Sequence, residues 1–488
     1  MFISSSARIV ARAKPSTHTI KSRAFTTSST AHFFSSKKAE VALVKGPRPR
    51  RNTGTMEDLL PSSIGNVPIL PQRFSDLKKS IFRDELTQSW GEVLAELKTV
   101  TEEVASRGPD IIPRVRYEDL INGLNEHQIG EIKRTGCVIV KGGVPKEEAL
   151  SWKQDVFNYI ATNREHVEGV PEEAIVYYEI YNSKPQMAAR QHPGIVNTQR
   201  ALLSLWHVSD PASAVSLSTP VTYFDRLRVR LPGPSTFVLE PHIDSGGLER
   251  WEDPGFRSCF KKILEGNWKQ HDPFDATPRI TAKQDLYGEV HQLSVFRPWN
   301  GWVSLSNTGP NQGALRLLPF LSLSTAYLML RPFFRPKRTA RSNSSEVSFA
   351  AEDWELDLDT PTFPGTEMGK AQEPGDQAYW HGDLIHSVEN EHLGKEDSAA
   401  IYVPAVPLTD KNYAYLRNQA ATFQLGFPPP DFPAGDGESR CKGRAAPDEV
   451  TSMDGRRRLG LAPFEIPVNA TSSEATLING INARMLTF

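Results

Sequence analysis

The chain has too few cysteines, placed too far apart, to be held together by disulfides. Cys137, Cys259 and Cys441 form no CxxC pair and no framework, which points to a reducing compartment. It also lacks a charge imbalance: a formal net charge of -2 and a pI near 6.7 give no electrostatic case for nucleic acid or an anionic membrane as partner. No apolar run reaches the roughly 18 residues that a transmembrane helix needs, and no internal repeat is visible. What remains is an ordinary globular composition, 39% hydrophobic and 23% charged over 488 residues, enough for one large domain or two medium ones.

A second absence is local. Residues 1–39 contain no Asp or Glu, while Arg8, Arg12, Lys14, Lys21, Arg23, Lys37 and Lys38 are spaced among Ser, Thr and apolar residues. Basic, Ser-rich and acid-poor composition is that of a mitochondrial transit peptide, and Arg23-Ala24-Phe25-Thr26 resembles a matrix-processing site. The competing reading is a disordered basic tail. Residues 1–54 are therefore set apart from the fold, with 55–66 as a linker.

Beyond the linker, 73–107 and 117–134 place apolar residues such as Trp90, Val93, Leu94 and Leu97 at helical spacing. Cys137–Val140, flanked by Gly136 and by Gly142-Gly143-Val144-Pro145, reads as a buried strand, 146–163 as a helix, and 195–207 as a further helix. From about 220 the texture changes to short apolar or β-branched runs divided by Pro and Gly: 224–231, 236–243, 302–306, 314–319, 377–380 and 399–406. Helices first and many short strands afterwards predict an α+β domain on a jelly-roll core, with a helical part over 70–210, the core over 220–410 and a C-terminal extension over 411–488. Two polar stretches, 249–289 and 335–373, read as insertions between strands.

The chemistry sits in two segments. Pro241-His242-Ile243-Asp244-Ser245-Gly246-Gly247 places His242 and Asp244 two residues apart, on one face if the segment is a strand, with glycines to turn the chain beside them. Far along the chain, the run from Gly375 to His386 holds His381 and His386, either of which could supply a third ligand. Two histidines and one carboxylate with open positions form the facial triad of non-haem Fe(II) oxygenases. Zinc can occupy the same donors, and three protein ligands plus water is also a hydrolytic zinc arrangement. A second His-x-Asp, His381-Gly382-Asp383, has only His392 downstream of it, too near to come from a distant strand.

Glu249-Arg250-Trp251-Glu252-Asp253-Pro254, His271-Asp272-Pro273-Phe274-Asp275-Ala276, Phe296-Arg297-Pro298-Trp299-Asn300-Gly301-Trp302 and Gly313-Ala314-Leu315-Arg316-Leu317-Leu318-Pro319 resemble the DUF1479 family over about residues 70–470. That family is a branch of the clavaminate synthase-like, 2-oxoglutarate-dependent oxygenase superfamily, and its fungal members are described as related to an N-acetylglucosamine-induced protein. The resemblance implies a double-stranded β-helix (cupin-like jelly roll). It selects His386, whose His386-Ser387-Val388-Glu389-Asn390 closes its strand as the family's does, so that Fe(II) is held by His242, Asp244 and His386. It implies 2-oxoglutarate as co-substrate, decarboxylated to succinate and CO2 as O2 is consumed, and hydroxylation of a small-molecule substrate.

One departure from the superfamily stands out. Many members carry an arginine about ten residues after the distal histidine, on the last core strand, to grip the co-substrate's far carboxylate. Here Ala399-Ala400-Ile401-Tyr402-Val403-Pro404 carries no basic residue. A carboxylate in a dry pocket calls for a charged, preferably bidentate partner. Arg316 is the first candidate and Lys395 the second, with Ser398 as a hydroxyl donor. Trp299 and Trp302 are expected to pack in the core. Two other readings compete: a non-catalytic jelly-roll binding module, and a zinc-dependent hydrolase on a cupin-like barrel.

Overall fold

The computed structural model describes residues 62–64, 67–234, 241–288, 290–337, 348–363 and 376–486. The targeting segment read into residues 1–54, residues 236–240 of the predicted run 236–243, and residues 338–347 and 364–373 of the second predicted insertion lie outside them. Residues 62–64, read as linker, are a short strand paired antiparallel with Val67–Ile69.

Helices α1 (Arg73–Ile81), α2 (Glu85–Arg107), α3 (Glu126–Thr135), α4 (Lys146–Thr162) and α5 (Pro193–Leu203) follow the expected amphipathic stretches closely. Local chemistry sets the ends of α3. The Asn125 side chain accepts from the Gln128 N–H at 2.9 Å and the Gln128 side chain accepts from the Asn125 N–H at 3.0 Å, while Gly136 closes the helix at φ 73°. The chain then enters a strand buried over Cys137–Val140.

The strands that build the site's surroundings are β1 (Arg114–Arg116), β2 (Cys137–Lys141), β3 (Gly169–Val170), β4 (Tyr177–Tyr178), β5 (Leu227–Arg230), β6 (Trp299–Ser304), β7 (Leu315–Leu317), β8 (Gln377–His381), β9 (His386–Val388) and β10 (Ser398–Tyr402). Eight of them form one sheet in the order β1-β2-β8-β6-β10-β5-β4-β3, antiparallel except for the β1–β2 pair. A separate pair, β7 with β9, brings Leu317 opposite His386. The fold is thus a mixed α and β architecture with one large mixed sheet. The segment that carries His381 and His386 is divided: β8 ends at His381, and after a turn the chain starts β9 in another sheet.

The stretch 249–288 does lie between strands, but it packs into the core instead of lying on the surface. It forms short helices whose Trp251, Phe256, Phe260, Ile263 and Trp268 join the main hydrophobic cluster. Helix α6 (Leu321–Leu330) has no counterpart in the sequence reading. It is apolar on nearly every side and buried on nearly every side, so its amphipathic signal vanishes. In the C-terminal extension, α7 (Asp410–Leu425) and α8 (Ser472–Met485) contribute to a second cluster with Phe224, Leu408 and Phe464.

The buried charges of 249–289 converge on the second His-x-Asp. Arg250 donates to Asp383 Oδ1 at 2.8 Å, Arg279 donates to the same carboxylate at 3.1 Å, and Arg250 also donates to the Ser245 carbonyl at 2.6 Å. Burial would raise Asp383, but the two guanidinium groups hold it well below the ordinary carboxylate range. His381 stacks on Trp206 at 4.8 Å, with Nε2 3.0 Å from the Pro273 carbonyl and Nδ1 accepting from the Asp383 N–H. This motif is therefore a structural brace. Asp383→Ala removes the counter-charge from two buried arginines and is expected to lower unfolding free energy by about 3–5 kcal/mol, read from urea denaturation of the full chain.

Candidate metal centre

His242, Asp244 and His386 come together from the two segments that the sequence singles out. Their ligand atoms all lie within 4.8 Å of one another; Asp244 Oδ1 is 3.5 Å from His242 Nε2 and 3.6 Å from His386 Nε2. Such separations suit three donors on one side of an ion whose bonds run roughly 2.1 Å. The geometry is not that of a continuous strand. His242 makes a single antiparallel bridge with His386, each backbone N–H donating to the other's carbonyl at 2.9 Å. After Asp244 the chain turns through Gly246 at φ 64°, where an added Cβ would stand 2.5 Å from the Phe256 ring.

The donors are oriented from behind. His386 Nδ1 lies 3.0 Å from the Leu384 carbonyl, which fixes the ring with Nε2 toward Asp244. Arg297 is buried and spans two acids, donating to Asp225 Oδ2 at 3.1 Å and Asp244 Oδ2 at 3.0 Å. Burial would raise the Asp244 carboxyl; His386, His242 and Arg297 hold it far below its ordinary range. Burial pushes the His386 imidazole down to about 4, with Asp244 pulling the other way. Both groups thus stand in the deprotonated state that metal ligation requires.

The three residues line a cavity of about 490 Å³, walled further by Asn300, Trp302, Trp380, Tyr402, Arg226 and Phe432. Trp299 packs in the core as expected, whereas Trp302 also faces this cavity. The Asn300 amide is buried and neither of its polar atoms has a partner among the described residues.

The expected carboxylate anchors fare differently. Arg316 lies opposite Ser387 in the β7–β9 pair and borders a different cavity, between β7 and α2, with Leu97, Val104 and Phe320. Lys395 is exposed in the loop before β10. Neither lines the cavity of the triad. Ser398 is buried, and its Oγ accepts from Arg228 at 3.2 Å and lies 3.2 Å from Thr308 Oγ1. Sequence reasoning did not single out Arg297, Asn300 or Arg228. For Arg228 a signal exists: Arg226, Arg228 and Arg230 alternate with Leu227 and Val229, so a strand read as apolar sends guanidinium groups to one side and core residues to the other.

Comparison with known proteins agrees with this architecture. The Gig2-like family model matches residues 68–461, and the chain belongs to the Gig2-like family. It is 33% identical over 371 residues to the uncharacterized protein YbiU of Escherichia coli K12, covering 73% of this chain and 87% of that one. Among solved structures, GlcNAc Inducible Gene 2, GIG2 (DUF1479), from Candida albicans superposes with a TM-score of 0.76 at 28% identity, over 86% of this chain and 96% of that one. A candidate oxidoreductase from Salmonella typhimurium LT2 gives 0.67 at 28% identity, over 80% and 96%.

His242→Ala and His386→Ala are each expected to abolish tight binding of one divalent ion per chain, measured by metal analysis after dialysis. Arg297→Met keeps all three donors but is expected to weaken binding by about 10-fold or more, and His381→Gln to retain one equivalent.

Proposed function

We propose that the protein is an Fe(II)- and 2-oxoglutarate-dependent oxygenase that hydroxylates a small metabolite. The observation that carries this reading is the gathering of His242, Asp244 and His386 on the wall of a cavity, with donors on one side and open space on the other. On this reading the large sheet and the β7–β9 pair, extended by the His242 bridge, are the two faces of a double-stranded β-helix. The description of the Salmonella relative as an oxidoreductase accords with it. Iron bound there with the 2-oxo acid supplies O2 activation coupled to decarboxylation.

The chain's own residues do the rest. Arg297 keeps Asp244 ionised and aimed, and the Leu384 carbonyl keeps His386 Nε2 turned inward. Trp302 and Trp380 meet edge to face at 5.6 Å, and Trp380 lies 5.2 Å from the His386 ring, which gives the metal side an aromatic wall. Asn300, opposite Trp380 in the β6–β8 pair, offers an unengaged donor and acceptor to whatever enters.

The test is succinate formation from 2-oxoglutarate by full-length protein loaded anaerobically with Fe(II) and then given O2. Slow turnover without added substrate is expected in the wild type and none in His242→Ala. A protein that retains zinc through iron loading and forms no succinate would sink the oxygenase reading and support the hydrolase.

A further inference from the structure

Strand β7 stands between two cavities. Leu315 lines the cavity of the triad, and the next residue, Arg316, borders a second cavity of about 300 Å³ between β7, the start of α6 and the C-terminal half of α2. The two cavities share no lining residue. Leu97, Val100 and Val104, three and four residues apart on one face of α2, supply one wall of the second cavity and stay only half-buried. Leu318, Phe320 and Leu323 supply the other.

No acid lines this space, and among the described residues Arg316 is its one charge. Arg316 is half-buried, and its guanidinium makes no hydrogen bond or ion pair with any described residue. The acids on the neighbouring helices are engaged elsewhere. Glu103 meets Arg107 at 2.8 Å and Arg134 at 3.5 Å, and Glu131 meets Arg134 at 2.8 Å. A space with such walls stays dry and takes up apolar molecules; about half this volume is enough for benzene. Left empty, it forfeits the packing contacts of every side chain around it.

We propose that this second cavity binds an alkyl monocarboxylate of medium chain length, its hydrocarbon along α2 and its carboxylate on Arg316. The walls turn away a sugar or a nucleotide, whose polar groups would lie unpaired against Leu97, Val104 and Phe320. The volume sets the chain at roughly eight to ten carbons. A carboxylate beside Arg316 accepts from the guanidinium fork, and the half-exposed position leaves its other side in water. The site goes beyond the oxygenase reading and does not depend on it, since neither the triad nor a metal takes part.

The experiment is calorimetric titration of full-length protein, stripped of metal with a chelator and dialysed, with octanoate, butanoate and octan-1-ol. Wild type is expected to bind one octanoate per chain. Butanoate should bind more weakly by roughly 100-fold or more, because each buried methylene is worth about fourfold. Octan-1-ol, which lacks the charge, should bind about tenfold more weakly than octanoate. Arg316→Gln is expected to bind octanoate and octan-1-ol about equally, with octan-1-ol affinity unchanged. Val100→Trp, whose indole fills the space, should bind neither, and Arg316→Gln decides the matter if that variant fails to fold. Adding Mn(II) should leave octanoate affinity unchanged. Octanoate binding that needs the metal, that persists in Val100→Trp, or that keeps its full preference over octan-1-ol in Arg316→Gln overturns the proposal. So does a wild type that binds no octanoate, the result expected if another part of the chain fills the cavity.

Discussion

Two backbone hydrogen bonds hold the centre together. His242 and His386 are 144 residues apart, and each donates its N–H to the other's carbonyl at 2.9 Å. Everything at the site follows from that bridge. It sets the two imidazole rings 4.3 Å apart, between centroids, and leaves Asp244 to swing in through the turn that follows. Joining such distant segments carries a loop-closure cost that a single bridge does not offset, so the bridge needs bracing on both sides. On one side β9 pairs with β7. On the other, Arg250 ties the Ser245 carbonyl to Asp383 in the turn before β9, and Gly382 lets that turn close in. A Cβ at Gly382 would stand 2.8 Å from the Arg297 carbonyl and 2.9 Å from the Ser245 hydroxyl. The brace thus touches the residue after Asp244 and the residue that orients Asp244, without itself entering the cavity.

This division of labour explains why the chain contains two His-x-Asp pairs. The pattern alone cannot separate them, because both put an imidazole and a carboxylate side by side. Their surroundings do. Asp244 meets one arginine and faces open space, so it has coordination capacity left; Asp383 meets two arginines in the core and has none to spare. His381 is likewise used up by Trp206, the Pro273 carbonyl and the Asp383 N–H.

How much of this was legible beforehand depended on the range of the signal. Helices α2, α3 and α4 and strand β2 announce themselves through local periodicity and capping, as with Asn125 and Gln128. The triad was legible because its residue types are rare together and its two segments carry turn-forming glycines. His386 and not His381 gathers with His242 and Asp244, because the chain leaves the large sheet at His381 and resumes in another at His386. Helix α6 was invisible because a helix buried all round has no polar face to set its period. Arg316 misled because charge on a strand-like run says nothing about which side it faces; strand pairing, a long-range property, turns it toward α2.

The arginines show the same limit in sharper form. Eight of these side chains or their like would be unremarked on a surface, but inside this fold each needs an acceptor. Arg250 and Arg279 share Asp383, Arg297 spans Asp225 and Asp244, and Arg226 lies between Asp225 and Glu179. Arg190 donates to two main-chain carbonyls, Arg230 to those of Glu389 and Asn390, and Arg458 to a carbonyl and to the Gln199 amide oxygen. Arg228 alone among this set leans on a hydroxyl, that of Ser398, one that is itself able to donate. Like Arg190, Arg230 and Arg458, it meets only neutral acceptors among the described residues. The alternation that sends Leu227 and Val229 into the core sends Arg228 to the opposite face of β5, where its guanidinium packs over Trp302.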